Sequence, residues 1–162
     1  MTFLQNSGGD CGEVCIVNAL KLMGYTRFDN RNVNRNLVPY LRNLTDNLND
    51  EGCNVDLTLE IIADAAWEKG YTVEQVYGSL SIDLITRTLK REGFCVLTVR
   101  LPNSDYDHVF MVKGYKVTNG NVTFDTLWLF ADGNDHKIKL DDLRWIMKNT
   151  PRDHARLCCF YK

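Results

Sequence analysis

The chain of 162 residues has no uninterrupted apolar run approaching the roughly 18 residues that a transmembrane helix needs. Its first residues, MTFLQNSGGDCGE, lack the basic segment and following apolar segment of a secretory signal. Positive and negative charges nearly cancel, at a formal net charge of −2, so a basic face for nucleic acid is not indicated. From these absences we expect no membrane insertion, no nucleic-acid partner and a cytoplasmic location.

The sequence also lacks a CxxC pair, the commonest signal of a structural zinc site. Cys11 and Cys15 form a CxxxC motif, but no HxxxH motif or second cysteine pair completes a set of four ligands. We therefore expect no metal and no cofactor. In a reducing compartment the six cysteines are predicted to be free thiols.

The apolar fraction of 44% fits one compact domain over residues 1–162. In the first half the apolar residues recur at helical spacing, and from Phe94 onward the period is that of strands. This order predicts an α+β fold, with a helical lobe (11–92) packed on an antiparallel sheet lobe (94–161) and a cleft between them. The predicted helices are 11–23, 37–44, 57–69 with Asp56 as its N-cap, 81–92 and 140–148. The predicted strands are 71–77, 94–101, 108–117, 121–130 and 156–161.

Cys11 is the candidate nucleophile. Asp10 suits the N-cap of the first helix and Glu13 suits its N3 position, which predicts an approximate capping box with Cys11 as the first helical residue. A helix N-terminus lowers the pKa of a thiol and so favours the reactive thiolate. The backbone N–H of Cys11 can donate to an oxyanion, and the Gln5 amide can supply a second donor if Gly8-Gly9 folds the chain back.

His108 is the candidate base, because it stands at the start of a predicted strand, just after a loop. Asp125 lies on the strand across the Asn119-Gly120 hairpin, where we expect it to orient the imidazole. Asp132 is the alternative, since it too follows an apolar strand (LWLFA). His136 and His154 are the rival bases, both in polar stretches that indicate surface positions.

Together these motifs resemble the papain-like cysteine peptidases, and most closely the double-glycine leader peptidases of bacteriocin exporters. The resemblance depends on QNSGGDCGEVC, on the strand GFCVLTV, on HVFMVKGY and on the aspartate that follows. It implies a papain-like fold and peptidase activity, with Cys11, His108 and Asp125 as the triad and Gln5 on the oxyanion. One departure is Thr126, which follows Asp125 where the family usually has proline.

A second resemblance is to the Josephin-type deubiquitinases. Their helix begins like Cys11-x3-Cys15-x2-Asn18, and their chain ends on a strand much as RLCCFYK does, although Gln5 lies one residue further from the cysteine here. This resemblance implies a ubiquitin-like substrate with a Gly-Gly tail. We therefore expect a protein or peptide substrate. An acyltransferase or transglutaminase with the same triad, and a degenerate domain that binds a partner, remain alternatives.

Overall fold

The computed structural model describes residues 3–4, 10–47, 53–100, 102, 104–127 and 136–162. Within these ranges the helices are α1 (Cys11–Leu22), α2 (Leu37–Leu44), α3 (Val55–Glu68), α4 (Ile82–Lys90) and α5 (Leu140–Lys148), with a 3-10 turn at Arg152–His154. The strands are β1 (Arg27–Phe28), β2 (Arg31–Asn32), β3 (Thr72–Tyr77), β4 (Phe94–Val99), β5 (His108–Thr118), β6 (Asn121–Leu127), β7 (His136–Lys139) and β8 (Arg156–Tyr161).

Six of the strands form one antiparallel sheet in the order β3-β8-β4-β5-β6-β7. The predicted α+β class is confirmed. The predicted division between a helical half and a sheet half is wrong in one respect, because β3 precedes residue 92 yet pairs with β8 along the sheet. Pairing with the C-terminal strand provides β3 with backbone partners that the neighbouring helices cannot supply.

Local signals account for most of the element boundaries. Asn119 and Gly120 both have positive φ, at 52° and 81°, as a two-residue hairpin turn between twisted strands requires. The side chain of Asn54 accepts from the backbone N–H of Leu57, so α3 begins after Asn54. The predicted cap at Asp56 is therefore wrong by two residues, because the cap is Asn54.

The core lies between the helices and the sheet. α1 packs against α2, α3 and β5, and its inner residues, such as Cys15 and Ile16, are fully buried. The contact with β5 includes the backbone N–H of Val109, which bonds Cys11 at the start of the helix. None of the described helices is both long and apolar enough to cross a membrane.

Candidate active site

Cys11 is the first residue of α1 and is half-buried. The backbone N–H of Val109, the second residue of β5, donates a hydrogen bond to the Cys11 thiol. Because Val109 follows His108 directly, this bond places the sulfur within about 6 Å of the His108 Cα, from standard bond and hydrogen-bond lengths. The two candidate catalytic residues, about one hundred positions apart, therefore meet at the start of β5.

The predicted capping box is not formed. Asp10 occupies the N-cap position of α1, but its side chain makes no cap hydrogen bond and instead faces Arg35 at 3.4 Å. Glu13 is fully buried and accepts hydrogen bonds from Thr45 at 2.6 Å and from Asn47 at 3.2 Å. Both carboxylates thus fasten α1 to its neighbours. The first N–H groups of the helix are left uncapped by Asp10, as an anion-stabilising site requires.

Cys53 is the neighbour that the sequence did not single out. Its thiol donates a hydrogen bond to Cys11. It also lies against the start of α1, since a Cβ added to Gly12 would clash with the Cys53 sulfur. A side chain at position 12 would push Cys53 away, so Gly12 allows the two thiols to come together.

The Cys53 hydrogen bond is the main reason that the pKa of Cys11 is lowered, with a smaller contribution from the Val109 N–H. Burial and the charge of Glu13 act in the opposite direction. Burial raises the pKa of Cys15 and brings that of Cys158 to about 12. Cys159 also has a lowered pKa, through its hydrogen bond with Cys95, but it is fully buried. Among the six thiols, Cys11 combines a lowered pKa with access to solvent.

Replacing Cys53 with alanine is expected to raise the pKa of Cys11, because the thiolate loses its strongest donor. The rate of Cys11 alkylation by iodoacetamide at pH 6 should fall about tenfold, as expected for the loss of one hydrogen bond to a charged group. Peptide mass spectrometry over a pH series measures this rate. Cys158→Ala is the matched control and should leave it unchanged. An unaltered pH profile in Cys53→Ala would contradict the assigned donor.

His108 begins β5 opposite Val99 of β4 and is partly buried. Its imidazole stacks on the Phe110 ring, with centroids 6.2 Å apart and planes at 17°. Successive strand residues point to opposite faces, so the His108 and Phe110 side chains share one face while Val109 points to the other. The Cys11 sulfur contacts the backbone N–H of Val109, between His108 and Phe110 at the start of β5.

Asp125 does not lie beside His108, contrary to the sequence prediction. In the β5–β6 register Asp125 is opposite Gly114, six residues beyond His108, which corresponds to about 20 Å at the usual rise per residue. Asp125 faces Lys137 at 3.9 Å instead. The predicted turn at Asn119-Gly120 is confirmed, and it is this turn that separates the pair. His108 is ten residues before the turn-flanking Thr118, whereas Asp125 is four residues after Asn121.

Two of the predicted site residues lie outside the described residues. They are Gln5, the expected oxyanion donor, and Asp132, the alternative third member of the triad. Leu4, which precedes Gln5, is described: its backbone N–H and C=O bond the buried side chain of Asn18 at 2.8 and 3.1 Å. The N-terminal chain is thus attached to α1 at Leu4.

His154 forms a histidine–carboxylate pair that the sequence did not predict. Its Nδ1 lies 3.0 Å from Oδ1 of Asp107, and Nε of Arg100 donates to the same oxygen at 3.0 Å. The His154 side chain is 29% exposed, so it is not the surface residue that its polar neighbours indicated. The sequence does not indicate this pair, because Asp107 and His154 are 47 residues apart. They are brought together by the pairing of β4 with β5 and with β8.

His136 begins β7, and its carbonyl accepts a hydrogen bond from Thr126 at 2.7 Å. Its position in a strand differs from the polar turn that the sequence indicated. It lines a hollow of about 510 Å³ with Pro102 and Trp145, and neither Cys11 nor Cys53 contributes to that lining. His136 is therefore not part of the Cys11 cluster.

Among the residues that the structure describes, no group of three or more histidine, cysteine, aspartate or glutamate side chains is placed to hold a metal ion. The described cluster combines a thiol at a helix N-terminus, a neighbouring thiol donor, and His108 next to the Val109 N–H that bonds the first thiol. Comparison with known proteins adds no family to this picture, since no protein-family model matches the chain and no curated protein matches it significantly.

Proposed function

We propose that the protein is a cysteine peptidase of papain-like type, in which Cys11 is the nucleophile. One observation carries the proposal: the Cys11 thiol, with a lowered pKa, stands at the N-terminus of α1 and is held against β5 beside His108. A thiolate at a helix N-terminus with a histidine on an adjacent strand is the arrangement that nucleophilic acyl transfer requires.

In this mechanism the Cys11 thiolate attacks a peptide or isopeptide carbonyl. His108 takes the thiol proton and returns it to the leaving amine, after which water hydrolyses the thioester. The His108 ring is stacked on Phe110 in the structure, so it turns toward the sulfur in the reacting complex. Such tightening of catalytic contacts on substrate binding is common.

The oxyanion is held in this proposal by the backbone N–H of Cys11 and by the Gln5 amide, each contributing about 3 kcal/mol. Support comes from Asp10, which leaves the helix start without a side-chain cap. Further support comes from Leu4, whose hydrogen bonds to Asn18 bring the chain before Gln5 alongside α1.

With Asp125 too distant, Asp132 is our candidate for the carboxylate that orients His108. The described part of β6 ends at Leu127, opposite Met111 and three residues from His108, and Asp132 follows five positions later in the sequence. The substrate class remains the predicted one, a protein or peptide, including a ubiquitin-like protein with a Gly-Gly tail. No cofactor takes part, and a reducing compartment such as the cytoplasm would keep the thiol active.

Alkylation kinetics test the proposal directly. At pH 6, iodoacetamide should label Cys11 at least about tenfold faster than any of the other five thiols, because a lowered pKa raises the thiolate fraction. Peptide mass spectrometry resolves the six sites. His108→Ala should reduce this advantage, because a protonated imidazole beside the sulfur favours the thiolate. His136→Ala should preserve it, since His136 lies outside the Cys11 cluster.

Equal labelling of all six cysteines would overturn the enzyme proposal and favour a domain that only binds a partner. A ubiquitin-like propargyl probe then reports on the substrate, since an adduct at Cys11 identifies a deubiquitinase-type site. Product analysis with an added amine separates hydrolysis from acyl transfer. Transfer without any hydrolysis would replace the peptidase by an acyltransferase.

A further inference from the structure

A second cavity, of about 270 Å³, is lined in part by Cys53. Its walls come from the start of α3, from β4 and β8, and from the turns that precede β5 and β8. Cys53 connects this cavity with the Cys11 cluster, because it lines the cavity and its thiol donates a hydrogen bond to Cys11. A group bound in the cavity would therefore lie one side chain away from the proposed nucleophile.

Two of the residues that line this cavity each have a buried polar atom without a hydrogen-bond partner among the described residues. These atoms are Oγ1 of Thr98 and Nε of Arg156. The two residues are directly paired between β4 and β8, so their side chains lie side by side on one face of the sheet. Thr98 is 1% exposed. Buried donors are rarely left unpaired in native proteins, so two of them on residues that line one cavity indicate a missing oxygen acceptor.

The rest of the Arg156 side chain is fixed. Its Nη1 donates to the carbonyls of Asp153 and Ala155 at 3.1 and 3.0 Å, and the guanidinium lies 5.0 Å from the Tyr77 ring. These contacts fix the guanidinium in the cavity wall, and Nε with it. Asp56 is the nearest carboxylate, at 3.9 Å, which is beyond hydrogen-bond distance.

The charges around the cavity are balanced. Asp107 is neutralised by Arg100 and bound by His154, and Asp56 offsets Arg156. A carboxylate ligand would add an unmatched negative charge beside Asp56 and Asp107. A neutral carboxamide fits better, because its oxygen can accept from Thr98 and Arg156 while its NH₂ group donates to the exposed carboxylate of Asp56.

We propose that this cavity is a binding site for a carboxamide, the side chain of a glutamine or asparagine in a peptide. The role of the cavity as a substrate subsite for Cys11 rests on the proposed function. Binding of a carboxamide there does not depend on it. The test accordingly uses the Cys11→Ala protein, in which no chemistry occurs. Blocked glutamine (N-acetylglutamine methylamide) is titrated while the backbone amide signals of Asn54, Asp56 and His154 are followed by NMR.

Saturable shifts of these signals are expected with blocked glutamine, and Thr98→Val, which keeps the side-chain shape, should weaken binding about tenfold, as the loss of one hydrogen bond does. Blocked methionine and blocked glutamate are the matched apolar and charged probes, and both should bind more weakly. Arg156→Lys gives an independent variant, since it keeps the charge but removes Nε.

The proposal is overturned if no probe shifts these signals, which would mean that ordered water alone fills the cavity. Equal binding by wild-type and Thr98→Val proteins, or tighter binding of blocked glutamate, would overturn it as well. If blocked glutamine binds but Cys11 shows no enhanced reactivity, the site stands and the peptidase proposal fails. If Cys11 is reactive but blocked glutamine does not bind, the peptidase proposal stands and the carboxamide site fails.

Discussion

Replacing His108 with alanine is expected to slow acylation of Cys11 by at least about 100-fold, the usual contribution of a general base. The physical reason is that the thiol proton needs an acceptor within hydrogen-bond reach, and the Val109 contact places the sulfur beside His108. The burst of nitrophenol released from a p-nitrophenyl ester measures this step without knowledge of the natural substrate. Cys11→Ala should abolish the burst.

The matched control is His154→Ala. His154 has the better-formed carboxylate partner, with Asp107 at 3.0 Å, but it lines the cavity that Cys53 also lines. Its replacement should therefore change the burst rate less than about tenfold, since it acts on binding and not on proton transfer. A large loss in His154→Ala with normal rates in His108→Ala would show that the His154–Asp107 pair is the base.

Replacing Glu13 with alanine is expected to lower the free energy of unfolding by about 2–4 kcal/mol. Glu13 is fully buried, and its carboxylate is the acceptor for both Thr45 and Asn47. Its removal takes the carboxylate acceptor from the Asn47 amide, leaves the Thr45 hydroxyl with the Leu41 carbonyl as its acceptor, and opens space beneath α1. Urea denaturation followed by circular dichroism measures the change.

Glu60→Ala is the control for this experiment, because Glu60 lies on α3 with its side chain exposed. It should alter the stability by no more than about 0.5 kcal/mol. The Glu13 variant has a second expected effect: the pKa of Cys11 should fall further, since the Glu13 charge raises it. If Glu13→Ala unfolds at the same urea concentration as the wild type, the buried network does not stabilise the attachment of α1.

The sequence was sufficient for the features that depend on a few neighbouring residues. The start of α1 at Cys11, its end before Gly24 and the Asn119-Gly120 hairpin follow from local chemistry and are confirmed. The α+β class also followed, because the period of the apolar residues changes near Phe94. Cys11 was identified at this level, since a helix start with its preceding turn is a local signal.

Contacts between distant segments were decided by the tertiary structure. The Cys11–Cys53 hydrogen bond and the His154–Asp107 pair each join residues more than forty positions apart. No periodicity of the sequence predicts such contacts. The register of β5 and β6 moved Asp125 away from His108, because a two-residue turn fixes which residues face each other along the whole hairpin. Local chemistry thus determined the reactive residue and the elements around it. The packing of the sheet against α1 and α3 decided which side chains surround its thiol, because those positions depend on the summed geometry of the chain between them.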